Sequence, residues 1–163
     1  MRLHRAALGS ALFFALAPGV VVGLVPWWLT RWEWRPAPMP LSLLGGLLLV
    51  VALPVLVSAF VRFVRDGLGT PAPVAPTERL VVTGAYRYVR NPMYLAVLSA
   101  IVGQGLLLGQ SVLLAYAGLV AVLVVSFVRL YEEPVLRRQF GEEYEAYRRA
   151  VPGWVPHLRP WKG

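Results

Sequence analysis

Four long apolar runs alternate with polar stretches along this chain, at positions 6–29, 41–64, 93–109 and 112–130. Each is 17 to 24 residues long and holds no Asp, Glu or Lys. At about 1.5 Å per residue, helices of this length match a hydrocarbon core of roughly 30 Å. Arg62 and Arg129 stand within a turn of a run's end, where a guanidinium reaches back to water. The pattern therefore predicts an all-α membrane protein with four transmembrane helices in a single domain, 1–163. Pro18 and Pro54 fall inside the first two helices, where each removes a backbone hydrogen bond and is expected to kink the helix. The third and fourth runs are separated by Gly109-Gln110-Ser111 alone, which predicts a tight antiparallel hairpin of helices 3 and 4. Gly103, Gly105, Gly118 and Ala121 are small enough to let helix backbones approach.

The polar stretches differ in character. The long connection at 67–82 carries Pro71, Pro73 and Pro76 and cannot be one helix; Thr83-Gly84 reads as a turn at its end. After the fourth run comes "YEEPVLRRQFGEEYEAYRRAVPGWVPHLRPW". Pro134 suits the first turn of a new helix, and Leu136, Phe140, Tyr144, Tyr147 and Val151 recur at helical spacing on one face. That predicts a C-terminal amphipathic helix, with Arg138–Glu142 and Glu145–Arg149 as i,i+4 pairs on its wet side.

Charge orients the bundle. Arg2 and Arg5, the arginines around the long connection (62, 65, 79, 87, 90) and the basic tail share one side of a four-helix arrangement. The positive-inside rule makes that side cytoplasmic, with both termini on it. Trp27, Trp28, Trp32 and Trp34 then form an aromatic belt at the opposite interface. The first run also has signal-peptide features, with Ala15-Leu16-Ala17 resembling a cleavage site. However, Pro18 follows directly and apolar sequence continues to Leu29, which favours an uncleaved helix.

The net charge of +8 does not indicate nucleic-acid binding, since the tail from Tyr131 holds six basic and five acidic residues and the excess flanks the apolar runs. Without cysteine, and with His4 and His157 near opposite chain ends, disulfides and a metal site are not expected. Chemistry is concentrated in two places. One is "GAYRYVRNPMY", which places Tyr86, Arg87, Tyr88, Arg90, Asn91 and Tyr94 at the mouth of helix 3; the other is Glu132-Glu133 at the exit of helix 4. A tight hairpin of two similar helices brings its open ends together, and so these clusters. Arginine, a carboxylate pair and tyrosine faces suit a zwitterionic or cationic ligand. The same groups also suit an interfacial salt bridge with tyrosine anchors.

"GAYRYVRNPMYLAVL" followed by "YEEPVLRRQFGEEYEAYRRAVPGWVP" resembles the isoprenylcysteine carboxyl methyltransferase and phospholipid methyltransferase family of integral-membrane enzymes. The likeness runs from about Thr83 to Pro156. It implies S-adenosyl-L-methionine (SAM) as cofactor, held at the cytosolic ends of the last helices. Tyr86, Arg90, Asn91, Pro92 and Tyr94 correspond to the cofactor-binding run, and Glu132 and Glu133 to the acidic pair. Gly103-Gln104-Gly105 resembles a Gly-x-Gly at which the cofactor approaches the backbone. Asn91 stands where the best-known members have histidine, so this position cannot gain a proton near neutral pH. The catalytic residues stay open: Arg87 and Arg129 are candidates for steering an anionic acceptor or lipid headgroup, and Asn91 is a candidate because it stands at the histidine position. The implied activity is methyl transfer to a lipophilic acceptor (a carboxylate, amine or thiol) drawn from the bilayer. Two alternatives are a non-catalytic membrane scaffold that retains the fold and a small transporter. All eight acidic residues lie outside the four runs, which disfavours the transporter.

Overall fold

A computed structural model describes residues 16–67 and 78–163. Among them every regular element is helical: α1 (Leu16–Thr30), α2 (Met39–Gly67), α3 (Pro92–Leu108), α4 (Ser111–Phe140) and α5 (Glu142–Ala150), with a 3₁₀ turn at Gly84–Arg87. Two helices, over Met39–Arg62 and Ser111–Phe140, are long and apolar enough to cross a membrane, and α1 and α3 are shorter apolar helices. Leu43, Val50, Val57, Leu119, Val122 and Leu123 point outward. So large an exposed apolar surface has no place in water. The first apolar run begins at 6 and the long connection spans 67–82, so part of each lies outside the described residues.

The core forms where α2 and α4 flank α3, with Leu56, Ala96, Val97, Ile101, Leu113, Ala117 and Val120 as its buried side chains. Glycine sets the α2–α3 distance. A Cβ on Gly103 would stand 2.9 Å from the Gly45 carbonyl oxygen, and one on Gly45 would collide with Leu107 N and lie 2.6 Å from Gly103 O. Backbone cannot yield as a side-chain tip can, so Gly45→Ala is expected to lower stability by about 2 kcal/mol. Gly118 faces outward with nothing within 4 Å of a built Cβ, contrary to its expected part in helix packing. Gly118→Ala is therefore the neutral control in a thermal melt of the detergent-solubilised protein.

Helices α3 and α4 are joined by Gly109 and Gln110 only. Gly109 ends α3 at φ 65°, a conformation that side chains oppose, and a Cβ there would meet Arg35 O at 2.6 Å. Gln110, almost wholly buried, donates through Nε2 to Glu33 O at 2.8 Å, tying the hairpin turn to the link between α1 and α2.

Two helices contain a wide, π-type turn just before a proline. In α1 it covers Gly19–Leu24, with Val25 N donating to Val20 O and Pro26 next in sequence. The shifted register releases the carbonyl of Val21, and Pro26, lacking an N–H, releases that of Val22. Side chains replace both bonds: Tyr116 OH donates to Val21 O at 2.8 Å and Gln104 Nε2 to Val22 O at 2.7 Å. Gln104 Oε1 in turn accepts from the Trp32 indole at 3.0 Å. Trp32, expected only to anchor at the interface, is thus also a structural contact. It reaches Gln104 from a chain reversal in which both Arg31 and Trp32 are left-handed, at φ 53°. Pro54 lies within a continuous α2.

In α4 the wide turn covers Val128–Glu132, and Glu133 N donates to Val128 O just ahead of Pro134. Pro134 does stand in the first turn of an α-helical stretch, Glu133–Phe140, as expected, but the π turn joins that stretch to the apolar helix without a break, so α4 continues to Phe140. The break comes later, at Gly141 (φ 53°, ψ −122°). The expected amphipathic helix is thus two pieces, the end of α4 and α5. Its apolar face was read correctly: Leu136, Phe140, Tyr144, Tyr147 and Val151 share one cluster. That cluster packs on Leu80, Val82 and Trp161, so protein covers the face. The break also changes the ion pairs. Arg137 meets Glu145 at 3.0 Å and Arg148 approaches it at 3.7 Å, in place of the pairs the unbroken spacing predicted.

Candidate functional site

The start of α3 meets α4 at Glu132 and Glu133, where the apolar part of α4 ends, as the hairpin requires. Pro92 starts α3 at a position where a missing N–H costs nothing, and Asn91 precedes it in a non-helical conformation. Tyr94, on the first turn of α3, donates its hydroxyl to Glu132 Oε2 at 2.8 Å. Arg90, just ahead of α3, donates from Nη1 to Glu133 Oε1 at 2.9 Å and to Tyr144 OH at 3.1 Å. Its Nε donates to Val151 O at 3.0 Å. The arginine and Glu133 side chains are 14% and 18% exposed, enough desolvation to strengthen the pair well beyond a surface contact.

The two acidic residues therefore face different ways. Successive helical residues diverge by about 100°, and the π turn sets where that divergence falls. Glu132 turns toward a small recess lined with Tyr86, Arg90, Asn91, Pro92, Met93 and Tyr94. Glu133 turns toward Arg90 and Tyr144. The recess holds about 30 Å³, room for a water or two.

Tyrosines stiffen this end of the molecule. Tyr86 is buried beside Ala59 and Val81, and its carbonyl accepts from Tyr147 OH at 2.6 Å. Burial raises the Tyr86 and Tyr147 hydroxyls well above the usual tyrosine value. Tyr144 is raised too, first by burial and then by the Glu133 carboxylate. All three stay neutral across the physiological range, and Tyr147 remains a hydrogen-bond donor throughout it.

The chain beyond α5 returns across the 87–91 segment. Arg90 N donates to Pro152 O at 2.8 Å, His157 N to Tyr88 O at 2.9 Å and Trp161 N to Arg87 O at 2.9 Å. The Asn91 amide donates to Gly153 O at 2.9 Å, and Arg87 Nε to Trp161 O at 2.7 Å. Sequence reasoning missed this strap; its signal was Trp154 and Trp161 among the prolines of the tail.

Residues 41–143 match the family model described as phospholipid methyltransferase. The chain belongs to that family. Similarity extends to the Protein-S-isoprenylcysteine O-methyltransferase of Schizosaccharomyces pombe, 38% identical over 77 residues. That alignment covers 47% of this chain and 33% of the yeast protein, so the chain spans about a third of this relative's length.

In this phospholipid methyltransferase family member, Tyr86, Arg90, Asn91, Pro92, Tyr94 and Glu132 come together around the recess, with Glu133 behind Arg90. Gly103 and Gly105 do not join them. Gly103 packs on α2, and a Cβ on Gly105 would meet Leu113 and Leu114 of α4 at 3.2 and 3.1 Å. Both lie three to four helical turns along α3 from Pro92. Arg87 serves the strap, and Arg129 is exposed on the π turn of α4. A second cavity, of about 330 Å³, lies on the other side of Pro92 between α2 and α3. Its lining is almost wholly apolar, including Leu48, Val51, Val55, Leu95, Tyr88 and Pro156.

Proposed function

We propose that this protein is an S-adenosylmethionine-dependent methyltransferase that modifies a lipophilic acceptor at the cytosolic face of a membrane. The observation that carries the reading is the placement of a charged, aromatic recess and an apolar cleft on either side of Pro92. The whole chain acts as one membrane domain with four spans, α1 and α3 completing the pair of longer helices. The cofactor region runs from about 83 to 156. Both termini and the site lie on the basic, cytoplasmic side.

The donor set suits the cofactor. Glu132 offers a carboxylate for the methionyl ammonium, Arg90 contributes positive charge for its carboxylate, and Tyr86 and Tyr94 border the recess with aromatic surface. When bound, the cofactor supplies a methyl group on a cationic sulfur with a good leaving group. What remains for the chain is alignment and exclusion of water. Tyr94 fixes Glu132, and Tyr144 and Glu133 fix Arg90. The α2–α3 cleft receives the hydrocarbon part of the acceptor, leaving its nucleophilic end at the α3 terminus. The carboxylate, amine or thiol identity of that end is set by the acceptor that fits.

Calorimetry with S-adenosylmethionine, followed by transfer of labelled methyl to a membrane lipid extract, tests the reading. Saturable binding and chloroform-soluble label are expected. Binding without label over a broad acceptor panel would favour the scaffold, and no binding by folded protein would refute the cofactor assignment. Val51 lines the cleft yet is 55% exposed, so Val51→Trp can fill it without disturbing the core. This variant is expected to raise KM for the lipophilic acceptor about tenfold, the effect of losing about 1.4 kcal/mol of chain burial, with cofactor affinity unchanged.

A further inference from the structure

Between α5 and the last residues, three successive carbonyls each hold part of the site. Val151 O accepts from Arg90 Nε, Pro152 O from Arg90 N and Gly153 O from the Asn91 amide. Gly153 sits so close that an added Cβ would lie 2.9 Å from Arg90 Nη2. Beyond it, among the described residues, the strap is attached through the His157 and Trp161 amide bonds, the Arg87–Trp161 bond, and the Trp161 ring, which lies 5.5 Å from that of Tyr147 in the cluster with Leu80 and Val82. Val155 and Leu158 between them are 74% and 99% exposed. The recess that Arg90 and Asn91 help to line holds only about 30 Å³, far less than any nucleoside occupies. Something beside it has to move to admit one. Among the described residues the strap is a neighbour without regular structure, and between its ends at Val151 and Trp161 its backbone bonds go to residues 87–91.

The geometry points to residues 151–161 as a gate over the cofactor recess, with Asn91 as its latch. This rests on the cofactor reading above. Asn91 is then a positioning residue: its amide is committed to Gly153 O, so its work is to close the strap against Arg90. A side chain that titrates is not needed for that task, whereas a hydrogen-bond donor is. Release of the strap frees Arg90 from two carbonyl partners and Asn91 from one, and these two residues form one wall of the recess.

The test compares full-length wild type, Asn91→Ala, Asn91→His and Gly153→Ala in detergent. Hydrogen exchange over 152–161 is followed by mass spectrometry, and S-adenosylmethionine association by stopped-flow tryptophan fluorescence. In Asn91→Ala, exchange and association are expected to quicken about five- to tenfold, as loss of one hydrogen bond would give. Gly153→Ala, whose methyl would crowd the Arg90 guanidinium against the strap, should do the same, and Asn91→His, which keeps a donor, should restore wild-type rates. Saturating cofactor should slow strap exchange in wild type. If wild type binds the cofactor but neither alanine variant changes the association rate, the gate is overturned and the cofactor reading stands. Faster exchange with unchanged association would likewise overturn it, leaving a latched strap that gates nothing. Failure of wild type to bind at all would remove both the cofactor reading and the gate.

Discussion

Arg90→Ala is expected to abolish detectable S-adenosylmethionine binding and to lower stability by about 3 kcal/mol, read as a fall in the thermal midpoint in detergent. The guanidinium joins three parts of the chain that are distant in sequence: Glu133 at the end of the π turn, Tyr144 on α5 and the Val151 carbonyl. Alanine leaves Glu133 as a largely desolvated charge without its partner, which is the costly half of breaking such a pair. It also strands Val151 O beneath the strap. Arg90→Lys keeps the charge but replaces a planar fork with a point donor, so it should recover part of the stability and little of the binding. Unchanged stability in Arg90→Ala would mean that the pair is as inconsequential as an exposed salt bridge.

The second large effect separates the two adjacent acids. Glu132→Gln keeps an oxygen for the Tyr94 hydroxyl and nearly the same volume, so the fold is expected to survive. Cofactor affinity should fall about 100-fold, equivalent to about 2.7 kcal/mol, because the carboxylate facing the recess is gone. Glu133→Gln should do the reverse, destabilising the Arg90 junction with a smaller loss of affinity. Calorimetry and melting on both variants decide the matter. Equal losses of affinity would show that the acids act as one unit, and a larger loss in Glu133→Gln would reverse the assignment.

How much of this could be read in the residues varies from place to place. The meeting of Arg90 and Tyr94 with the acidic pair was legible because apolar runs of similar length joined by Gly109-Gln110-Ser111 leave no other place for their far ends. The inward face of Leu136, Phe140, Tyr144, Tyr147 and Val151 was legible in its spacing, but the break at Gly141 was not. A glycine inside a periodic helical run is tolerated at a modest cost and does not by itself mark a break. Pro134 marks the first turn of the Glu133–Phe140 stretch, where a missing N–H is harmless, but not its continuity with the apolar helix before it. Sequence does not show that a π turn can absorb the same defect inside a helix. Gly103 and Gly105 could serve a ligand or a neighbouring helix equally well, and their closeness to α2 and α4 is not visible in the sequence. The orientation of Glu132 against Glu133 depends on helical phase, which one extra residue in the π turn shifts.

The wide turn in α1 also bears on the order in which the protein is made. Its released carbonyls, on Val21 and Val22, find their donors 95 and 82 residues further along the chain. In the four-span reading, α1 therefore enters the bilayer carrying two acceptors that lipid cannot satisfy. They stay unmet until the ribosome has delivered both arms of the α3–α4 hairpin. Made before α2 and α3, α1 is thus secured only once α4 has arrived, and a chain stalled before Tyr116 should present it to the membrane's quality control as unfinished.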